Sequence, residues 1–292
     1  MLSSWRYLFA IEGALTVLVA IFAMWYLPAS ASKASFLTPE EKQLARQRVE
    51  QDSSSSTDEA FDLRDSLKIF RYPFVYIVLA IEICVGIPLQ AGLFFPQIIG
   101  RFGYSAVKTN LYTVAPNVSG SAVLLILCFA SDYSQKRFPF IAAGFLLTFI
   151  GFMIYAAIDI DTQTRIGYFS CFVMTWGGSA PSVLLDVWYC NNIAHPGRRL
   201  VLTGVAVPLA NLMGVVSANI FRSQDAPKYT PALATIAACG ATGVILTLSL
   251  GFWMAFDNRR RDRKQGVKID VRDVSTALLR DGPTSPHFRW TL

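Results

Sequence analysis

Residues 74–99 read FVYIVLAIEICVGIPLQAGLFFPQII, and Glu82 is the one charged side chain in the stretch. A helix needs roughly 20 apolar residues to cross a hydrocarbon core about 30 Å thick, so this segment reads as a membrane span. Working outward, similar runs cover approximately Leu8–Leu27, Leu111–Ala130, Phe138–Ile158, Ile166–Trp188, Leu200–Phe221 and Ala232–Phe256. Seven runs of this kind predict an all-α, polytopic membrane protein with seven transmembrane helices, because helices satisfy every backbone group within the segment.

The composition agrees. Of 292 residues 53% are hydrophobic and only 16% charged, with a mean hydropathy of +0.41. Soluble domains carry about 25% charge. Disorder, collagen and a disulfide scaffold are excluded, since five cysteines are scattered through an apolar chain. The first run could be taken for a signal peptide, with Arg6 before it and Ala29-Ser30-Ala31 after it. Its length and the interruption by Glu12 favour a span.

The net charge of +6 is a topology signal, because most of the 26 Lys and Arg residues fall in alternate loops and the tail. That pattern predicts an outside N-terminus and a cytoplasmic C-terminus, and it argues against a nucleic-acid partner. Four regions follow: a first helix at 1–28, a central loop at 29–73, six spans at 74–256, and a cytoplasmic tail at 257–292. In the loop, Thr38-Pro39-Glu40-Glu41 reads as a capping box opening a polar helix. Gln51–Thr57 is a Ser-rich break, and Glu59–Phe70 is expected to form a second short amphipathic helix; a flexible solvated linker is the alternative. The tail is polar and expected to be unstructured beyond its membrane-proximal basic residues.

Several motifs resemble the major facilitator superfamily, and within it the anion:cation symporter family and its allantoate-permease-like branch known from fungi. Trp5-Arg6-Tyr7-Leu8-Phe9 with Glu12-Gly13 is similar to the start of the family's sixth helix, and Phe36-Leu37-Thr38-Pro39-Glu40-Glu41 to its central loop. Phe94-Phe95-Pro96, Gly103-Tyr104-Ser105, Ala115-Pro116 and Ser131-Asp132 with Lys136-Arg137 resemble helices seven to nine. Trp188, Asn191-Asn192, Arg198-Arg199, Asn211, Gly214 and Asp225-Ala226-Pro227 resemble the helix ten to twelve signature, and His287-Phe288-Arg289-Trp290 the tail. The resemblance implies a secondary transporter working by rocking of two helix bundles. It also implies twelve helices, so the chain is expected to supply helices six to twelve and to require the N-terminal helices or a complementary half as partner. The implied substrates are small organic anions such as allantoate, nicotinate or related vitamin carboxylates, moved with a proton, in the plasma membrane.

Polar groups inside the spans are candidates for the pathway, because ionisable residues there are costly. Glu82 lies about 12 Å into its helix and can bind a proton or a substrate; a protonated acid bonded to a neighbouring helix is the alternative. Gln90 lies about 80° around the same helix and can border the same cavity or bridge two helices. Asn117 follows Pro116, where it can line a cavity or repair the interrupted ladder. Trp176-Gly177-Gly178-Ser179-Ala180-Pro181 breaks the fifth run near its middle, making Trp176 and Ser179 candidates, with tight packing of small residues as the alternative. Asn211, three residues after Pro208, carries the same two readings. Asp132, Lys136 and Arg137 are gating-loop candidates that can pair across bundle halves in one state. Asp186 can pair with Arg198 or Arg199.

No Lys or Arg occupies the interior of any run. The cysteines lack paired spacing, His195 and His287 lie in loop or tail, and there is no phosphate-binding Gly-rich loop, so no enzyme, metal site or cofactor is indicated. A seven-helix receptor fits the span count, but the 45-residue first cytoplasmic loop and the missing receptor motifs disfavour it.

Overall fold

The computed structural model describes residues 4–28, 33–52, 62–159, 162–193, 195–225, 228–268 and 282–292. The Ala29-Ser30-Ala31 motif, the Ser run at 53–57 and Ala226-Pro227 lie outside the described residues. Eleven α-helices are formed among them, and no strand. The chain divides into two units, Met1–Thr57 and Asp58–Leu292.

The first unit holds α1 (Ser4–Tyr26) and α2 (Pro39–Asp52). The capping box opens α2 as expected: the Thr38 amide donates to Glu41 Oε2 at 2.9 Å and the Glu41 amide to Thr38 Oγ1 at 3.3 Å. The Thr38 backbone bond, followed by the hydroxyl bond, holds the Glu41 carboxyl below its ordinary value.

The second unit begins with α3 (Leu63–Ser66) and a 3₁₀ turn over Leu67–Arg71, a shorter helix than the expected one. The bundle then comprises α4 (Pro73–Ala91), α5 (Phe95–Gly100), α6 (Ala106–Ser134), α7 (Phe138–Ala157), α8 (Thr164–Gly178), α9 (Ala180–Asn191), α10 (Pro196–Ile220) and α11 (Thr230–Gln265). Among the described residues, six helices are long and apolar enough to cross a membrane. The fifth run does not add a seventh, because it is two shorter helices meeting at Ser179, where Gly177-Gly178 and Pro181 interrupt the ladder. The run at 74–99 is likewise interrupted: Gly92–Phe94 is a 3₁₀ turn, and Pro96 lies in the first turn of α5.

Within the bundle α7 packs between α8 and α11, α4 between α10 and α11, and α6 against α8. Close approach rests on small residues, as expected where lipid tails compete for apolar contact. Gly86 of α4 lies against the backbone of Ala210 in α10, and a Cβ there would overlap it. The apolar interior forms two clusters strung along α4 and α7. One gathers Val78, Ile81, Phe138, Phe145, Leu184 and Trp188; the other gathers Ile87, Ile98, Phe152, Tyr155, Met174 and Ile236.

The expectation of an unstructured tail excepted its membrane-proximal basic residues, and it is corrected at the C-terminal end. α11 runs past Asp257 to Gln265, carrying the basic residues on a continuous helix. Residues 282–292 pack against the bundle: Phe288, Arg289 and Trp290 are at most 1% exposed. Trp290 Nε1 donates to Asp257 Oδ2, the Thr291 amide to Asn192 Oδ1, and the Arg137 amide to the Leu292 carbonyl. The stretch mixes polar and apolar residues, and its partners are the Arg137 amide at the start of α7 and side chains at the ends of α9 and α11.

Candidate functional site

The α8–α9 break is positioned from behind by α7. Gly177 presses on the Thr148 amide with no room for a side chain, and Gly144 meets the Pro181 ring. In front of the break lies a cavity of about 160 Å³ lined by Pro88, Leu89, Gly92 and Phe95, by Asn117 and Gly120, by Phe152, and by Met174, Thr175, Gly178 and Ser179. Asn117 and Ser179, two of the expected pathway residues, are thus brought together in one wall by the packing of α6 on α8. Ser179 is the junction residue, ending α8 and beginning α9 without a side-chain capping bond, and it lines the cavity.

Pro116 has no amide hydrogen, which leaves the Tyr112 carbonyl without its usual helical donor. Tyr168 supplies one: its hydroxyl donates to that oxygen at 3.1 Å. Thr175 Oγ1 donates to the Pro116 carbonyl at 2.9 Å. The proline is therefore accommodated by hydroxyls from α8, and Asn117 does not serve as the repair. Trp176 lies beside the cavity rather than in its wall; its Nε1 donates to Ser119 Oγ at 3.0 Å.

Gln90 and Asn211 meet directly, Gln90 Nε2 donating to Asn211 Oδ1 at 3.1 Å across the α4–α10 contact. Asn211 Nδ2 also donates to the Val207 carbonyl one turn back. The pair bridges two helices next to the cavity-lining Leu89.

Glu82 does not reach this cavity. It is 2% exposed, inside the first apolar cluster, and its neighbour is the Asp186 carboxyl of α9. The expected Asp186–Arg198 pair is not formed, because Arg198 reaches Asp65 at 2.9 Å while Asp186 accepts the Tyr189 hydroxyl at 2.8 Å. Asp65 also faces His195 Nε2 at 3.2 Å and Lys68 Nζ at 2.6 Å. The bond from Lys68, and then that from Arg198, hold its carboxyl below the ordinary value against partial burial. Sequence reading missed this cluster, whose members lie on α3 and the start of α10; the basic pair Arg198-Arg199 was the available signal.

The gating-loop candidates pair locally. Arg137 binds Asp132 at 3.0 Å, Lys136 is exposed, and its carbonyl accepts the Ser131 hydroxyl. Among the described residues no three His, Cys, Asp or Glu side chains gather as a metal site.

A helical bundle with interrupted helices facing a polar-edged cavity describes a class of multi-pass membrane carriers. The sequence pattern of the Major Facilitator Superfamily matches residues 1–218, and the chain belongs to that superfamily. It is therefore an integral, multi-pass membrane protein, not an enzyme. It is 49% identical over its whole length to the "Uncharacterized transporter C1039.04" of Schizosaccharomyces pombe (strain 972 / ATCC 24843). It is 40% identical over 98% of its length to the "MFS-type transporter efuF" of Hormonema carpetanum. It is 36% identical over 99% to the "Major facilitator-type transporter hxnP" of Emericella nidulans. The chain spans 58% of the length of each of these relatives. No solved structure matches it.

Proposed function

We propose that the chain forms the substrate-binding bundle of a secondary transporter that takes up a small organic anion together with a proton. The cavity at the α8–α9 break is the observation that carries this reading. Its wall offers the Asn117 amide and the Ser179 hydroxyl, a pair able to donate to a carboxylate without a fixed cation. Its apolar side, from Leu89, Phe95, Phe152 and Met174, suits the organic part of such an anion. Allantoate, nicotinate and related vitamin carboxylates are the classes the fungal symporter resemblance favours. In the same reading the basic end of the bundle faces the cytoplasm of a plasma-membrane carrier, and helices outside this chain complete the translocation path.

Uptake of labelled allantoate and nicotinate tests the proposal, measured in cells producing the chain and in cells producing it extended to the length of its relatives. Acid-stimulated uptake in the extended form, abolished by a protonophore and reduced at least about tenfold by Asn117→Ala with Ser179→Ala, supports it. Absence of acid-stimulated uptake of both compounds overturns it.

A further inference from the structure

Glu82 Oε1 is fully buried and has no hydrogen-bond partner. α4 packs against α9, which places a second carboxyl, Asp186, next to that of Glu82. Asp186 Oδ1 accepts the Tyr189 hydroxyl at 2.8 Å, and that hydroxyl lies 3.4 Å from Thr203 Oγ1 of α10. Two acids from different helices are thus neighbours, Glu82 buried with a bare oxygen and Asp186 half-buried.

The spanning parts of the helices around the pair, α4, α7, α9, α10 from Leu200 and α11 to Phe256, carry no Lys or Arg. α10 has no ionisable side chain from Leu200 to Ile220, and α11 has only Cys239 from Thr230 to Phe256. α9 adds Tyr189 and Cys190, α4 adds Tyr76 and Cys84, and α7 adds Tyr155. At the head of α10, Arg198 is held by Asp65, and Arg199 donates to the Ile193 carbonyl. An ionised carboxylate without a cation is costly in such an interior, and two side by side also repel. One proton removes both difficulties. It turns one carboxylate into a carboxylic acid whose O–H donates to the other, giving the bare oxygen its missing bond.

We propose that Glu82 and Asp186 form a shared-proton site in the wall between α4 and α9, with Tyr189 and Thr203 orienting the Asp186 carboxyl. Its place in a transport cycle rests on the proton-coupled reading above; its occupancy by a proton does not need a substrate. No covalent bond other than O–H is made or broken, and the proton comes from and returns to water.

Infrared difference spectra of the purified chain in lipid nanodiscs, titrated upward from about pH 5, test the site above the range where exposed carboxyls hold protons. A carboxylic acid C=O band that disappears with rising pH is expected. It is lost in Glu82→Gln and, because burial still favours the neutral acid, only weakened and lost at lower pH in Asp186→Asn; each variant substitutes an amide donor of the same shape. The Tm of the unsubstituted chain falls as pH rises, because the folded protein holds a proton that the unfolded one has already released, and this slope flattens in both variants. No such band in the unsubstituted chain overturns the site whether or not a variant folds. A band undiminished in either variant also overturns it, as does a Tm insensitive to pH but raised by sodium over potassium chloride. A normal titration without acid-stimulated uptake removes the transport reading and leaves the site, while uptake without the titration does the reverse.

Discussion

The two ends of the chain invert the usual relation between composition and burial. α1 is a nearly uninterrupted apolar helix, yet none of its apolar window is buried, with Met24 at 86% and Trp25 at 84% exposure. Residues 282–292 mix polar side chains with glycine, proline and three large apolar residues, a pattern no membrane span has, yet Arg289 and Trp290 are each 1% exposed. Hydropathy reports the solvent a segment is suited to, here lipid, and says little about protein contact. Burial of the C-terminal segment follows instead from specific partners. Trp290 packs edge-on against Phe74 with ring centroids 5.1 Å apart, while its amide and carbonyl exchange 2.8 Å bonds with the Asn258 side chain.

The sharpest way to break this contrast is Trp290→Ala. It removes a fully buried aromatic wedged among Phe74, Phe288 and Trp253 and leaves Asp257 without its indole donor. A loss of about 3–5 kcal/mol is expected, read as a lowered midpoint in denaturant unfolding of the purified protein. A midpoint unchanged within error would mean that the terminal segment is not part of the cooperative fold.

Arg289→Lys isolates the polar share of the same anchor. The guanidinium binds Asp262 Oδ1 at 2.8 Å, Gln265 Oε1 at 2.7 Å and the Pro286 and Phe288 carbonyls. Lysine keeps the charge but cannot make this fork of bonds. The expected cost is about 1.5–3 kcal/mol by the same measurement, with proteolysis within 282–292 accelerated.

Asp65 is a polar tether of the opposite kind, partly open to solvent where it holds α3 to the head of α10. Because its folded carboxyl is held below the ordinary value, its contribution is present above the unfolded pKa and fades as pH falls through the folded one. Asp65→Asn is expected to cost at most about 1 kcal/mol near neutrality and to differ less from the parent in acid. Parallel unfolding curves across pH check the sign; a difference that grows on acidification would reverse it.

The apolar runs were legible because a membrane span imposes one long local pattern, and the break at Gly177–Pro181 was legible because glycine and proline act on their own backbone. Asn117 and Ser179 were found for that reason, each standing beside a proline-marked interruption. What composition hid was nonlocal. Nothing near Glu82 announces Asp186, since α4 and α9 meet only through the fold. The run around Phe288-Arg289-Trp290 reads as unstructured tail until Asp257, Asn258 and Asp262 on α11 are known to receive it. The Tyr168 hydroxyl that satisfies the carbonyl freed by Pro116 comes from a different helix, so a single-helix reading left that repair open to Asn117 beside cavity lining.

The smallest expected effect belongs to α1, and it tests the other half of the contrast. Leu18 and Met24 are 64% and 86% exposed, so truncating either to alanine removes little protein contact. In detergent the unfolding free energy of the chain should change by no more than about 0.5 kcal/mol, the range of substitutions away from packed features. In a bilayer the same truncations weaken the match to hydrocarbon without creating a cavity, so membrane extraction by mild detergent should change more than unfolding does. A loss above about 2 kcal/mol from Leu18→Ala, of the size seen when a packed leucine is emptied, would show that this face of α1 is buried against protein. The inversion between the two ends would then fail.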